Sequence, residues 1–219
     1  TSEEWLAHPG AVGRPRNELV VDILDDAGAP VPTGTPGQVW FGGYTRFTYK
    51  DDPEKTEETW RDDRFTLGDI GYLDDDGYLY LCDRRADVII SGGVNIYPAQ
   101  IEAVLLAHPA VADCCVVGVP DDEWGESVRA VVQPTTDTTA DTTADAQADT
   151  ALGDATLADA TLADTTLADA LLAHCRAGLP AHLVPRAVDL DPALPRTETG
   201  KLARRVIRDR YWQDRPRRI

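Results

Sequence analysis

Residues 111–119, VADCCVVGV, are apolar at every position but Asp113. A run this short is strand-length, and a strand with so little polar alternation has to be covered on both faces. Residues 128–133, VRAVVQ, are its expected partner, with 120–125 as the connecting loop. Such a pair cannot stand alone in water. It needs further elements packed on the sheet, and with the mixture of strands and helices read from about Arg84 onward the fold class expected is α+β. On the strand the adjacent Cys114 and Cys115 point to opposite faces and so cannot pair with each other. Cys82 and Cys175 complete no C-x-x-C, and His8, His108, His174 and His182 show no ligand spacing. Buried reduced thiols and no metal site are therefore expected.

Upstream the pattern is β-rich. Residues 18–24 and 38–41 read as short strands ending at Asp-Asp-Ala-Gly and Gly-Gly. Asp52-Pro53 opens a short helix through Trp60, with Pro53 at its first position and Glu54 in its first turn. Residues 71–73 and 78–82 flank Asp74-Asp75-Asp76-Gly77, a hairpin signal. From about Arg84 strands and helices mix. Residues 88–91 form a short strand ending in Gly92-Gly93, and 98–108 a helix with Ile101, Val104 and Leu105 on one face. Residues 186–190 form a last strand and 202–211 a last helix. Two domains are expected, 1–83 and 84–219.

Residues 135–166 are built on Thr-Ala-Asp and Thr-Leu-Ala-Asp units. Leu157, Leu162 and Leu167 recur every five residues, a period of neither helix nor strand. The first half reads as a disordered acidic linker, and the last repeats run into a helix ending at Gly178. This insert supplies much of a net charge of -17, which argues against a general nucleic-acid or membrane-surface binder. The arginines from Arg204 to Arg218 read as a solvated helix and tail. No apolar run reaches the roughly 20 residues that cross a bilayer, and the first residues lack the basic and apolar regions of a secretory signal. A cytoplasmic location is expected.

Three segments carry candidate chemistry: Thr66-Leu67-Gly68-Asp69; the long run from Asp83-Arg84-Arg85-Ala86 through Ser91-Gly92-Gly93-Val94-Asn95-Ile96-Tyr97-Pro98 to Glu102; and Pro195-Arg196-Thr197-Glu198-Thr199-Gly200-Lys201-Leu202. Singly, each has a plain structural reading: a turn carboxylate, surface arginines, a β-turn, a loop lysine. Gly200-Lys201 is not a P-loop, because the first glycine and the following Ser/Thr are absent. Together, in this order, they resemble the adenylate-forming superfamily of acyl-CoA synthetases, peptide-synthetase adenylation domains and luciferases, with bacterial fatty-acyl-CoA ligases the nearest look. Asp121-x-x-x-Gly125-Glu126 fits the same family.

The resemblance implies a β-rich tail of a large N-terminal domain followed by a small α+β C-terminal domain that rotates on a hinge. By match to the family's motifs, Asp69 would hold the ribose hydroxyls, Leu81 would pack near the nucleotide, and Arg84 would reach it. Lys201 would bridge carboxylate and phosphate during adenylation. Gly92 and Gly93 would line the pantetheine tunnel, and Ala86 would be the hinge. The implied substrates are a small-molecule carboxylic acid, ATP with Mg²⁺, and coenzyme A.

Two positions depart from the family pattern. Leu67 replaces its usual Thr, removing a local hydrogen bond, and Ala86 replaces a charged hinge residue. The family's Ser/Thr/Gly-rich phosphate loop and aromatic-Gly-x-Thr-Glu segment do not occur in the 219 residues. The chain is therefore expected to be the C-terminal part of a ligase, inactive alone, with the N-terminal part as partner. Two alternatives stand beside a CoA ligase: an adenylation domain that loads a carrier protein, and a non-catalytic split module. The three serines, Ser2, Ser91 and Ser127, are not placed to carry a phosphopantetheine arm, which favours free CoA.

Overall fold

A computed structural model describes residues 2–16, 18–135 and 155–213. The expected disordered linker and the arginines at 215, 217 and 218 lie outside the described residues. The chain divides into two compact units, Thr1–Asp87 and Val88–Ile219.

The first unit opens with α1 (Ser2–Ala7) and builds one sheet from β1 (Val20–Leu24), β2 (Gly37–Gly42), β3 (Trp60–Arg61), β4 (Arg64–Phe65), β5 (Asp69–Leu73) and β6 (Leu79–Arg84), with α2 (Pro53–Thr59) between β2 and β3. The strand order is β3-β4-β2-β5-β6, with β1 also on β2, and all pairings are antiparallel. Ile23, Val39 and Leu79 form its aliphatic core, and Phe47, Trp60 and Phe65 pack ring on ring. Asp52 caps α2 by accepting from Lys55 N. The helix stops one residue short of expectation, because Trp60 adopts extended backbone and starts β3. The Asp74–Gly77 turn forms as expected. Asp74 Oδ1 accepts from Asp76 N at 3.1 Å and Tyr78 N at 2.8 Å, and Gly77 takes φ +77°, a left-handed value that favours glycine.

The second unit runs β7 (Ile89–Ser91), β8 (Val94–Ile96), α3 (Pro98–Leu106), β9 (Val111–Asp121), β10 (Gly125–Pro134), α4 (Ala155–Gly178), β11 (Ala187–Leu190) and α5 (Arg204–Asp209). β10 is the centre of its sheet. It pairs antiparallel with β9 along its length, parallel with β11, and touches β7 through Gly125↔Ser91. As the apolar run required, β9 is buried from both sides. Cys114 and Val116 face a core with Ile101, Leu105, Leu171 and Cys175 from α3 and α4. Cys115, Val117 and Val119 face Leu194 and Ile207. The two cysteines thus lie in different cores, and all four are free thiols.

The expected loop at 120–125 is shorter than predicted. Pairing persists to Asp121↔Gly125, leaving only residues 122–124 as a turn. Of the apolar face expected on α3, Ile101 and Leu105 are fully buried, whereas Val104 is only partly so. Leu171 and Cys175, four residues apart, form the buried stripe of α4, and Gly178 allows Val104 to pack against its backbone. The final helix is shorter than its expected 202–211 span, because Leu202 is held in a β-bridge with Arg196. Among the described residues, no helix is long and apolar enough to cross a membrane.

Candidate functional site

The first unit brings Asp69 and Arg84 together. They are cross-strand partners on β5 and β6, and Arg84 Nε lies 2.8 Å from Asp69 Oδ1. Asp69 is mostly shielded, with 16% of its side chain exposed, and Arg84 reaches into solvent at 65%. A register shift between Ile70 and Gly71 follows directly. Bulges of this kind re-aim neighbouring side chains. Gly71 is needed there, because a Cβ would sit 2.5 Å from Tyr80 O.

The loop before Asp69 is braced by Thr66. Its hydroxyl donates to Val39 O at 2.8 Å and accepts from Gly68 N at 3.1 Å. The hydroxyl missing at Leu67 thus has a counterpart one residue earlier, while Leu67 itself is exposed. Leu81 stands opposite Gly71 on β6 and is 46% exposed. Ala86 lies in the 3-10 turn Arg85–Asp87 that closes this unit. Arg85 ties that turn back to the sheet through Gly68 O, Gln38 and Asp26.

A carboxylate has about four acceptor sites, of which one arginine bond uses one. Asp69 therefore retains the capacity to accept from a vicinal diol, while Arg84 beside it offers donors to an anion.

The second unit carries Gly92-Gly93 and Lys201 on separate hairpins. The glycines form the tip between β7 and β8, at φ +58° and +81°. Trp124 lies directly over Gly92. A Cβ there would meet Trp124 Cε3 at 2.3 Å, whereas one on Gly93 would meet nothing within 4 Å.

The Asp121-to-Glu126 stretch supports this tip. Asp121 Oδ1 accepts from Glu123 N and Trp124 N at 3.0 and 2.9 Å. The Trp124 backbone N–H is the chief cause that holds the Asp121 carboxyl below its ordinary range. Trp124 O accepts from Gly92 N at 2.9 Å. The buried Glu126 carboxylate accepts from Ile90 N at 3.1 Å, and Gly118 leaves the room it needs.

Lys201 sits in a closed loop: Thr197 N donates to Lys201 O at 2.7 Å, Gly200 N to Thr197 O at 2.9 Å, and Ala203 N to Pro195 O at 2.8 Å. The Lys201 side chain is exposed. Asp69, Leu81, Arg84 and Ala86 thus belong to one unit, and Gly92, Gly93 and Lys201 to the other.

Besides Thr66, sequence reasoning passed over Trp124 and Arg204 here. Trp124 lies inside a motif noted only for its flanking Asp, Gly and Glu, although a tryptophan in a turn is itself a signal. Arg204, read as part of a solvated helix, is instead paired with Glu102. Its position three residues after Lys201, at a helix start, was the available clue. Among the described residues no group of three His, Cys, Asp or Glu side chains is arranged to hold a metal ion.

Residues 100–201 match the family described as the AMP-binding enzyme C-terminal domain. A fatty acid–acyl-carrier-protein ligase of Streptomyces coeruleorubidus is 34% identical over 216 residues, covering 95% of this chain and 36% of the relative. A feruloyl-CoA synthase of an Amycolatopsis species is 36% identical, covering 92% of this chain and 36% of the relative. The solved structure of o-succinylbenzoate CoA synthetase from Bacillus subtilis, in complex with its acyl-adenylate intermediate, superposes with a TM-score of 0.73. It is 30% identical, over 95% of this chain and 37% of that one. The chain therefore spans little more than a third of the length of these relatives.

Proposed function

The chain belongs to the adenylate-forming superfamily, with the AMP-binding C-terminal domain at residues 100–201, and from that membership we propose that it is the C-terminal part of an ATP-dependent acid–thiol ligase. Its activity is assigned to the polypeptide in which it joins the remainder that such relatives carry. In the first half-reaction a substrate carboxylate oxygen attacks the α-phosphorus of ATP, the bond to pyrophosphate breaks, and an acyl-adenylate forms. In the second, a thiolate attacks the acyl carbon, the bond to AMP breaks, and a thioester forms.

Asp69 grips the ribose hydroxyls, Arg84 meets the nucleotide, and Leu81 packs near it. Lys201 brings a mobile ammonium to the point where two anions approach, the place where a cation lowers the barrier most. Gly92 and Gly93 let backbone close on the pantetheine arm. Mg²⁺ bound with the nucleotide would share the negative charge of its phosphates.

The observation that carries this reading is the separation of tools. Lys201 and Gly92-Gly93 occupy two distinct hairpins of one compact unit, and Asp69 with Arg84 occupies the other. A hinge at Ala86, in the turn that ends the first unit, would present one hairpin per half-reaction. The thiol is free CoA, as for the feruloyl-CoA synthase. A carrier-protein arm is the second reading, favoured by likeness to the acyl-carrier-protein ligase. Both present the same pantetheine thiol, and a side-by-side assay with CoA and with loaded carrier protein separates them.

Lys201→Ala is expected to lower adenylation by on the order of 100-fold or more, while thioester formation from supplied acyl-adenylate is largely kept. Substituting Gly93 with a bulky residue does the reverse. Equal losses in both half-reactions for Lys201→Ala would refute its role.

A further inference from the structure

The loop that carries Lys201 is held by a shielded ion pair to which no role has yet been given. Arg204, the first residue of α5, meets Glu102 of α3 through both arms of its guanidinium, Nη1 to Oε1 at 2.6 Å and Nη2 to Oε2 at 3.0 Å. Only 20% and 14% of the two side chains are exposed. The pair also grips one residue of β9. Val116 N donates to Glu102 Oε1 at 2.8 Å, and Arg204 Nη1 donates to Val116 O at 2.6 Å.

Among the described residues β9 pairs with β10 on one edge alone, and on the other edge the carboxylate takes the N–H and the guanidinium takes the C=O. The same edge is capped two residues on, where Trp212 Nε1 donates to Gly118 O at 2.9 Å. At its other end the Lys201 loop is pinned to β9 through an ion pair of Arg196 with Asp113, and Arg196 also donates to Gly200 O. The backbone of Lys201 is thus clamped from both sides, while its side chain stays exposed.

We propose that Glu102 and Arg204 are positioning residues for Lys201: they fix the backbone from which its ammonium reaches the reacting anions. This rests on the adenylating role given to Lys201. A lysine is a point charge on a flexible four-carbon stem, so its aim depends on a fixed Cα. A misplacement of about 1 Å can lower a rate on the order of 100-fold. Removing one charge of a shielded pair leaves the other uncompensated, so Glu102→Gln loosens the clamp while keeping side-chain shape. Arg204→Lys keeps the charge and loses the two-armed fit.

The test has two arms. In the 219-residue chain, amide exchange is followed at Thr197 and Ala203, whose N–H groups close the loop, and at Val131 in the sheet core. In Glu102→Gln the two loop amides should exchange at least about tenfold faster and Val131 little changed. In the polypeptide joining this chain to the N-terminal part of a relative, both variants should lose on the order of 10- to 100-fold in ATP–pyrophosphate exchange. Thioester formation from supplied acyl-adenylate should stay within about twofold, since a misaimed Lys201 does not touch that step.

Three results overturn the proposal: unchanged loop exchange, equal loss in both half-reactions, or faster loop exchange with undiminished adenylation. If Lys201→Ala itself spares adenylation, the functional reading fails instead. Selective loosening of the loop in Glu102→Gln would then still show the clamp, stripped of its catalytic purpose.

Discussion

Gly92 and Gly93 are adjacent, both in left-handed backbone, yet replacement by alanine should not affect them equally. An L-residue in that conformation costs about 1–2 kcal/mol, partly offset by about 0.4–1 kcal/mol from a stiffer unfolded chain. For Gly93→Ala little more is expected, since its Cβ meets nothing within 4 Å, and the net loss should be about 1 kcal/mol. For Gly92→Ala the new Cβ falls 2.3 Å from Trp124 Cε3 and 2.7 Å from Cζ3, well inside the roughly 3.5–4.0 Å of carbon contact. The ring has to shift by more than about 1 Å, at an overpacking cost of about 1–3 kcal/mol. Trp124 is 43% exposed, so the ring can move and the lower half of that range is favoured.

Gly92→Ala should therefore destabilise the second unit by about 1–2 kcal/mol more than Gly93→Ala. The measurement is amide exchange of Val131 and Val132 over a urea series, which reports this unit apart from the other. Adding Trp124→Ala should remove the difference, because the steric partner is gone, giving a coupling of about 1–2 kcal/mol in the double-mutant cycle. Equal losses at the two glycines, or a difference that survives Trp124→Ala, would refute the account of a ring seated on the hairpin tip.

Ile101 is fully buried in the core between α3 and the sheet, so Ile101→Ala should destabilise the second unit by about 2–5 kcal/mol, measured by the same exchange series. Cys114 has its thiol pushed up to about 12, chiefly by burial and then by the nearby Glu102 charge. It should resist iodoacetamide at pH 8 until urea unfolds the chain, as peptide mapping of the alkylated thiols would show. Asp191 is held below the ordinary carboxylate range first by its bond to Arg210, which lies 2.7 Å away at the end of α5. Its contribution to stability is complete above the ordinary value of about 3.9 and is lost as pH falls through the depressed value. Urea midpoints measured below about pH 4 should accordingly fall less steeply in Asp191→Asn than in the parent.

Much of the fold was legible because its signals are local. The near-unbroken apolar run at 111–119 required cover on both faces, and β9 has it. Asp52-Pro53 and Asp74-to-Gly77 carry turn and cap chemistry that acts within a few residues, and both form. Errors cluster at ends, where tertiary pairing competes with propensity. Trp60 leaves its helix to pair with Phe65, Leu202 is claimed by Arg196, and β9 and β10 stay paired nearly to their turn. At the candidate site, Asp69, Arg84, Gly92, Gly93 and Lys201 were singled out by the resemblance of their segments to a family's motifs. Their supports were not. Thr66 was passed over as the neighbour of a missing threonine, Trp124 as filler in a motif, and Arg204 as one more arginine in a basic stretch.

Residue types, order and periodicity by themselves determined that this chain has a doubly covered strand pair, a β-rich beginning and a lysine loop near its end. Each of these follows from interactions between near neighbours. Only the tertiary structure decided that Glu102 reaches Arg204 across 102 positions, that Trp124 covers Gly92, and that Asp69 stands beside Arg84 through a bulge. A carboxylate's partner depends on which backbone edges and charges the packed chain leaves within about 3 Å of it, and that distance is fixed only when the layers close.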